Sequence, residues 1–306
     1  MEKLWELIVV GGGPAGLTAA LYAARSGKKT MVIEKGNFGG QIALTDKLQN
    51  YPAIAEISGE EFAESLMSQC SELGVEFELG EVTEIEKSGE KFEIKTSDGE
   101  RHDSRTVILA LGTKKRELGI EREEFFRGNG ISYCALCDGA FYANEEVAVV
   151  GGGNSAVEEA LMLSDICKKV YIIHRRDSYR AEGKTVEALR NKANIEEILN
   201  SGVVSLNGVE SLSSVSVKNN ITGEIREIKV SGLFVLVGFV ASNSAFGSLV
   251  PLDAQGFFDI GEGCESVTEG LFVAGDCRRK QVRQVVTAVS DGAVAATKAI
   301  KFLDSK

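Results

Sequence analysis

Two cysteines, Cys134 and Cys137, are separated by two residues in the stretch YCALCDGAFY, and Asp138 follows them directly. Such a pair can be half of a zinc site, a structural disulfide or a redox-active dithiol. At a helix start, amide dipoles can stabilise a thiolate, so that one sulfur attacks while the other leaves or resolves. A carboxyl group at Asp138 can carry a proton to or from the departing sulfur.

The redox interpretation explains this spacing better than the other two. A zinc site would need further cysteine or histidine ligands at matching spacing, and the only histidines are His102 and His174. A disulfide across two residues closes so small a loop that it removes little entropy from the unfolded chain, and the cytoplasm disfavours structural disulfides. We therefore expect a redox pair and no bound metal.

A nucleotide-binding unit is predicted shortly after the cysteine pair. The segment VAVVGGGNSAVEEALMLSDICKKVYIIHRR, residues 147–176, has the pattern of a strand, a glycine loop, a helix and a second strand. The second strand ends at His174, Arg175 and Arg176, and Arg180 follows. Guanidinium groups can bind a phosphate on the ribose 2′ position, so this site should prefer NADPH to NADH. The alternative is a solvated basic turn.

The same design occurs at the N-terminus, in WELIVVGGGPAGLTAALYAARSGKKTMVIEKG. The motif Gly11-x-Gly13-x-x-Gly16 follows an apolar run, as in a loop that holds a pyrophosphate at a helix N-terminus. Glu34 ends the next predicted strand, where a carboxylate can bind ribose hydroxyls. The chain thus contains two predicted dinucleotide sites, and Ala156 replaces the third glycine in the second of them.

The order of these segments predicts an α/β fold with two Rossmann-like three-layer nucleotide-binding domains. Residues 1–113 and 245–306 would form one discontinuous domain, and residues 114–244 would be a second domain inserted into it. The polar or small crossings GTKKREL and VASNSAF make a natural swivel between them.

Composition limits the partners. The 306 residues carry a formal charge of −11, and a surface that acidic repels phosphate backbones and anionic lipids. The apolar runs are too short for a membrane helix or a signal peptide, and the longest, LFVLVGFVA (233–241), is expected to be a buried strand. We expect a cytoplasmic protein that binds neither nucleic acid nor membranes.

The chain resembles the low-molecular-weight thioredoxin reductases, which are FAD-dependent pyridine nucleotide-disulfide oxidoreductases. The resemblance runs from Leu7 to the C-terminus. Its motifs, in chain order, are GGGPAGLTAALYAAR, GGQ, NYP, CALCDGAFY, GGGNSAVEEAL, HRRDSYRAE, GLFVAGD and RQVVTA.

The resemblance implies two cofactors, FAD in the first domain and NADPH in the inserted one. The residues expected to hold FAD are Gly11, Gly13, Pro14, Ala15, Gly16, Glu34, Lys35, Gly39, Gly40, Gln41, Asn50, Val82, Ala110, Gly112, Gly275, Asp276, Arg283, Gln284 and Val285. The residues expected to hold NADPH are Gly151, Gly153, Asn154, Ser155, Ala156, His174, Arg175, Arg176 and Arg180.

The same resemblance implies the reaction. Hydride would pass from NADPH to FAD and then to the Cys134–Cys137 disulfide, and the dithiol would reduce thioredoxin or a thioredoxin-like protein by exchange. Cys137 would face the flavin, Cys134 would attack the protein substrate, and Asp138 would be the acid and base. Ala140 stands where some relatives have an aromatic residue for docking thioredoxin, which leaves Phe141 as the better candidate. A homodimer is also implied.

Geometry adds the expectation of domain rotation. The cysteine pair and the NADPH loop lie in the same inserted domain, and both must reach one flavin held by the other domain. Three alternatives remain: reduction of another small dithiol protein, a different electron donor such as ferredoxin, and a flavin-binding redox sensor without turnover. The three arginines argue against the ferredoxin variant.

Overall fold

The computed structural model describes residues 4–45 and 47–306, and the chain folds into two compact units. The first unit comprises residues up to Lys114 and from Val240 to Lys306, and the second comprises Lys115–Phe239. The predicted first domain begins at residue 1, and residues 1–3 lie outside the described residues. The two chain crossings pair as a two-stranded sheet of β7 (Lys114–Lys115) and β16 (Phe239–Val240).

The first unit is built on a seven-stranded sheet. Its strands are β1 (Leu4–Val10), β2 (Thr30–Glu34), β3 (Glu76–Leu79), β4 (Val82–Ser88), β5 (Lys91–Thr96), β6 (Arg101–Leu109) and β17 (Leu271–Val273). Strands β3, β2, β1, β6 and β17 pair in parallel, and β4, β5 and β6 form an antiparallel meander.

The buried strand β1 alternates its side chains between two apolar layers. Leu7 and Val9 pack with alanines of α1 (Pro14–Arg25) and α7 (Val285–Asp304), whereas Ile8 and Val10 pack on the opposite face. Alanine is small enough to let the two helices lie close to the sheet. The first unit also contains α2 (Gly59–Glu72) and a short 3-10 helix at Gly40–Leu44.

The second unit repeats this plan with a five-stranded parallel sheet. The order in that sheet is β11 (Ile195–Ile198), β10 (Lys169–Ile173), β9 (Glu146–Gly151), β15 (Gly232–Leu236) and β8 (Ile131–Ser132). One face packs on α5 (Asn154–Ser164), and the other packs on an antiparallel sheet of β12 (Ser201–Gly208), β13 (Leu212–Asn219) and β14 (Ile225–Lys229). Its other helices are α3 (Glu123–Phe126), α4 (Ala135–Asp138) and α6 (Gly183–Arg190).

The prediction of two Rossmann-like α/β halves is therefore confirmed. One detail differs: the run at 233–241 is not a single strand but ends as β15 at Leu236 and resumes as β16 at Phe239. Gly238 between them has a φ of 101°, a left-handed conformation that breaks an extended strand and that glycine adopts without strain.

Candidate active site

The cysteine pair lies at the start of a short helix in the second unit. Cys134 and Cys137 form a disulfide, with their Cα atoms 5.3 Å apart. Cys134 is the N-cap of α4, and its Sγ accepts a hydrogen bond of 3.2 Å from the backbone amide of Cys137. After reduction, this amide is placed to stabilise negative charge on the Cys134 sulfur.

Two carboxylates contact the redox helix. Glu159 of α5 accepts a hydrogen bond of 2.6 Å from the backbone amide of Ala135, and burial raises the pKa of Glu159. Asp138 is half-buried at the end of α4 and accepts a hydrogen bond of 2.5 Å from the hydroxyl group of Ser132. Because α5 begins at the second glycine loop, Glu159 joins the disulfide helix to the helix of the predicted nucleotide site.

Apolar side chains stand in solvent beside the disulfide. Leu136 lies between the two cysteines and is 57% exposed, and Phe141 is 53% exposed. Ala140 is also exposed, whereas Tyr142 packs edge-on against the buried ring of Phe234 with the ring centroids 5.3 Å apart. The surface around the reactive sulfurs is therefore apolar enough to contact another protein.

The first glycine loop joins β1 to α1 and is held by backbone contacts that tolerate no side chain. A Cβ added at Gly16 would lie 1.8 Å from the carbonyl oxygen of Gly11, and one added at Gly11 would lie 2.3 Å from that of Ala110. Gly13 is the N-cap of α1 and, having no side chain, leaves the start of this helix open to a ligand.

Glu34, at the end of β2, holds the turn around this loop. Its carboxylate accepts hydrogen bonds from the backbone amides of Gly12 at 2.7 Å and Gly36 at 2.8 Å. A carboxylate fixed at this position beside an open helix N-terminus fits the recognition of a ribose.

Asp276 follows β17 in a short 3-10 helix, Gly275–Cys277. Its Oδ1 atom is buried and has no hydrogen-bond partner among the described residues. Burial raises the pKa of Asp276 to about 6, although Lys280 and Arg283 oppose that shift. A buried acceptor without a donor is costly, so this oxygen fits a hydroxyl group of a bound cofactor.

The remaining residues predicted to hold FAD surround the same edge of the sheet, with two exceptions. Contacts that tie this edge together include Gly39 to Gly12, Gln41 to Thr113, Asn50 to Gln284, and Arg283 to Asp276. Gly40 lies against Gly13, and Gly275 lies against Ala15. Pro14 begins α1, Gly112 follows β6, and Val285 begins α7.

The two exceptions are Lys35 and Val82. Lys35 is exposed and pairs with Glu81 at 3.6 Å, whereas Val82 is packed in the hydrophobic core of the first unit. Neither side chain takes part in the contacts that tie this edge together, and their predicted role stays a prediction.

The second glycine loop joins β9 to α5. A Cβ added at Gly151 would lie 2.4 Å from the carbonyl oxygen of Leu236, and Gly153 is the N-cap of α5. The loop also carries Ser155, which is exposed, and Ala156, which is fully buried. As in the first unit, a helix N-terminus opens at the C-terminal edge of a parallel sheet.

The segment that carries Arg175, Arg176 and Arg180 is hydrogen-bonded to this loop. The amide of Arg180 donates to the carbonyl oxygen of Gly152 at 2.7 Å, and that of Glu182 donates to the side-chain oxygen of Asn154 at 3.0 Å. Arg175, Arg176 and Arg180 are exposed. The three arginines are therefore exposed, in a segment whose backbone contacts the glycine loop, and a phosphate can reach their guanidinium groups.

His174 differs from the arginines because it is buried. Its ring lies against Gly152 and stacks on Tyr179 with the centroids 5.5 Å apart. Its Nε2 atom has no partner among the described residues. Burial lowers the pKa of His174, so the ring is neutral at neutral pH and its buried nitrogen fits a hydrogen bond with a ligand.

Sequence reasoning missed a charged cluster behind Asp276. The carboxylate of Asp291 accepts hydrogen bonds from the Gly275 amide at 3.0 Å, from Arg278 Nε at 2.8 Å and from Lys280 Nζ at 2.9 Å. Arg278 is 1% exposed and also binds Glu262. A sequence signal existed, since Asp291 shares a helix face with the buried Ala288 and Ala295, where an apolar residue is expected.

The fold and these sites define an oxidoreductase that joins nucleotide cofactors to a redox-active disulfide. Residues 5–292 match the family described as "Pyridine nucleotide-disulphide oxidoreductase", whose members use flavin and nicotinamide cofactors, and the chain belongs to it. Within that family it groups with proteins named thioredoxin reductase.

Three of these proteins illustrate the similarity. The thioredoxin reductase of Helicobacter pylori is 42% identical, with 98% of this chain and 99% of that protein covered. The crystal structure of thioredoxin reductase from Streptococcus pyogenes has a TM-score of 0.94 and 37% identity, with both chains fully covered. The structure of Lactococcus lactis thioredoxin reductase, in the "FR conformation", has a TM-score of 0.68 and 39% identity, with 99% of this chain and 100% of that chain covered.

In the described part of the chain, no helix is both long and apolar enough to span a bilayer.

Proposed function

We propose that this protein is an NADPH-dependent thioredoxin-disulfide reductase that binds FAD. The observation that carries the proposal is the disulfide at the exposed start of α4, in a unit that also holds a glycine loop and three arginines. Full-length similarity to proteins named thioredoxin reductase supports it. When bound, the nicotinamide supplies a hydride and the flavin transmits its two electrons to a disulfide.

In the first unit, we assign the FAD site to the edge formed by the two loops after β1 and β17. Gly11, Gly13 and Gly16 would let backbone amides approach the pyrophosphate, and Glu34 would bind the adenosine ribose. Asp276 would accept a hydrogen bond from a hydroxyl group of the cofactor, because its buried Oδ1 otherwise lacks a partner among the described residues.

In the second unit, we assign NADPH to the loop Gly151–Ala156. The guanidinium groups of Arg175, Arg176 and Arg180 would bind the 2′-phosphate, and the neutral ring of His174 would contact the cofactor behind them. Such a cluster favours NADPH, since NADH offers it no phosphate to pair with.

The cysteines have separate roles in the proposed exchange. As a thiolate stabilised by the Cys137 amide, Cys134 attacks the disulfide of the substrate protein and forms a mixed disulfide. Cys137 then gives its proton to Asp138 and attacks Cys134, which restores the Cys134–Cys137 disulfide and releases reduced thioredoxin. Leu136 and Phe141 would contact thioredoxin, because they are exposed apolar side chains within a few residues of the cysteines in the chain.

Rotation of one unit against the other is part of this proposal. Both the disulfide and the NADPH loop belong to the second unit, so they would face a flavin in the first unit in turn. The two solved reductases described above match this chain at TM-scores of 0.94 and 0.68 despite nearly equal identity. A spread of that size is expected if members of the family adopt more than one arrangement of their domains.

The proposal is tested with the purified flavin-loaded protein, NADPH and oxidised thioredoxin. We expect NADPH oxidation to accelerate when thioredoxin is added and to produce free thioredoxin thiols. Cys134→Ser should abolish thiol production, whereas Cys167→Ala, at a buried cysteine in the same unit, should retain it. If oxidised thioredoxin leaves the rate unchanged, the enzyme does not serve that partner, and a panel of other small dithiol proteins identifies the alternative.

We further propose that the protein works as a homodimer in the cytoplasm, as its resemblance to the small thioredoxin reductases suggests. Sedimentation equilibrium of the purified flavin-loaded protein tests the dimer, because a monomer would have half the expected mass. Cell fractionation with an antibody tests the location.

A further inference from the structure

A buried serine lies next to the proposed acid and base, and nothing in the sequence pattern assigned it a role. Ser132 ends β8 and is 5% exposed. Its hydroxyl oxygen is 2.5 Å from Oδ2 of Asp138, close to the shortest ordinary distance for a hydrogen bond from a hydroxyl group to a carboxylate.

The Ser132 hydroxyl group also contacts the backbone of Cys134. The backbone amide of Cys134 donates to Ser132 Oγ at 3.1 Å, and the same oxygen is 3.3 Å from the Cys134 carbonyl oxygen. A hydroxyl group has one proton to donate, and the shorter contact with Asp138 takes it. The Cys134 amide, the Ser132 hydroxyl and the Asp138 carboxylate therefore form a chain of hydrogen bonds that all point the same way, an arrangement in which each bond polarises the next.

The sheet makes this chain rigid. Ser132 pairs with Phe234 and Ile131 pairs with Leu233 in the parallel ladder between β8 and β15. Asp138 lies at the opposite end of α4, a helix of a single turn whose own hydrogen bonds constrain it weakly. The Asp138 carboxylate is thus held by a residue of β8, the edge strand of the five-stranded sheet.

We infer that Ser132 is a positioning residue that holds the Asp138 carboxylate where it exchanges a proton with the cysteine pair. This inference rests on the proposed function for the role of Asp138 as acid and base and for the identity of the protein substrate. In the exchange, Cys137 loses its proton to Asp138, the new Cys134–Cys137 bond forms, the bond from Cys134 to the substrate sulfur breaks, and the departing sulfur takes up a proton. Ser132 keeps its own proton throughout.

The test uses the flavin-loaded protein and dithiothreitol, a small dithiol that needs no docking surface. Dithiothreitol is oxidised to its ring disulfide as Cys134 and Cys137 are reduced, and samples are quenched with acid, alkylated and weighed by mass spectrometry. Because neither thioredoxin nor NADPH takes part, this measurement stays informative even if the proposed substrate is wrong.

We expect Ser132→Ala to slow the exchange roughly tenfold, which is part of the roughly 10²- to 10⁴-fold that a positioned acid and base contributes. Ser132→Thr retains a hydroxyl group and should recover most of the rate. Ser164→Ala removes a buried hydroxyl group from the same unit, where it donates to the Leu161 carbonyl oxygen, and should leave the rate unchanged.

The deciding result is a double-mutant cycle with Asp138→Asn. If Ser132 acts through Asp138, adding Ser132→Ala to Asp138→Asn has no further effect on the rate. Multiplying effects would overturn the inference, because Ser132 would then act through the Cys134 backbone instead. A wild-type rate in either Ser132→Ala or Asp138→Asn would overturn it as well.

Discussion

Asp276 combines a buried carboxylate with an acceptor atom that no described residue satisfies. Four charged groups face it, since Lys280, Arg283 and Arg278 lower its pKa and Asp291 raises it together with burial. Desolvation is the largest of these effects, and it leaves the pKa at about 6. At neutral pH, the flavin-free protein therefore carries an ionised Asp276 carboxylate that burial makes less stable than the same group in water.

This charge gives a prediction about stability. The folded-state pKa of Asp276 is raised above its ordinary value of 3.8, so the associated stability is complete below about pH 4 and is lost as the pH rises through about 6. Asp276→Asn should therefore leave flavin-free protein about as stable as wild type at pH 4 but more stable at pH 7.5, by about 3 kcal/mol. Urea unfolding at both pH values measures this difference. Equal stability at pH 7.5 would contradict the prediction, and FAD binding should weaken in the same variant.

The arginine cluster gives a second prediction. Replacing Arg175, Arg176 and Arg180 together with alanine should reduce the preference for NADPH over NADH by roughly tenfold or more, since each charge-assisted hydrogen bond contributes about 1.5–3 kcal/mol. The ratio of kcat/KM for the two donors measures it. Arg226→Ala removes an exposed arginine that pairs with Glu196 in the same unit and should leave the ratio unchanged. An unaltered ratio in the triple variant would place the phosphate site elsewhere.

The individual residues were predictable from sequence where their role depends on near neighbours in the chain. Cys134, Cys137 and the glycines of both loops belong to short motifs whose spacing fixes their geometry. Asp291 and Ser132 were not predictable in this way. The Asp291 and Glu262 carboxylates are bridged by Arg278, which is distant from both in the chain. The Ser132 contact depends on how a helix turn folds back over a strand.

At the scale of elements, the two glycine loops differ at the third small position of the motif, which is Gly16 in the first loop and Ala156 in the second. A methyl group at Gly16 would lie 1.8 Å from the Gly11 carbonyl oxygen. In the second loop the methyl group is present, at Ala156, and a Cβ added at Gly151 would lie 2.5 Å from it. The close contact therefore forbids a side chain at the third position of the first loop and at the first position of the second loop.

A test follows from that contact. Gly16→Ala should destabilise the first unit by about 3 kcal/mol, because backbone atoms that cannot rotate away must shift. Gly261→Ala is the matched control, since a Cβ there meets no other atom within 4 Å and the backbone φ is not in the left-handed region. Denaturant midpoints and flavin content report the two variants. A Gly16→Ala protein of wild-type stability would mean that the helix can move away from the strand.

The regular elements were easier to predict than their interruptions. Apolar runs marked the buried strands of both units, and the glycine loops marked the helices that follow. The break between β15 and β16 was missed because Gly238 has apolar neighbours on both sides, and only its left-handed conformation separates the strands. Hydrophobicity reports burial, and it does not report backbone dihedral angles.

At the scale of the whole molecule, the chain passes between its units twice. The proposed cycle predicts that a crosslink holding the units in a single orientation abolishes turnover and preserves one half-reaction. The preserved step is flavin reduction by NADPH in one orientation and electron transfer between flavin and disulfide in the other. Rapid-mixing absorbance measurements separate these steps, and cleaving the crosslink should restore turnover. A locked protein that still turned over would exclude rotation.

The four cysteines outside the redox pair are all buried. Burial raises the pKa of Cys167 to about 11 and the pKa of Cys70, Cys264 and Cys277 to about 12, so these thiols stay protonated and unreactive near neutral pH. A protein whose proposed work is to open other proteins' disulfides is thereby protected from scrambling its own. Because the four other thiols are buried and protonated, disulfide exchange within this protein is confined to Cys134 and Cys137.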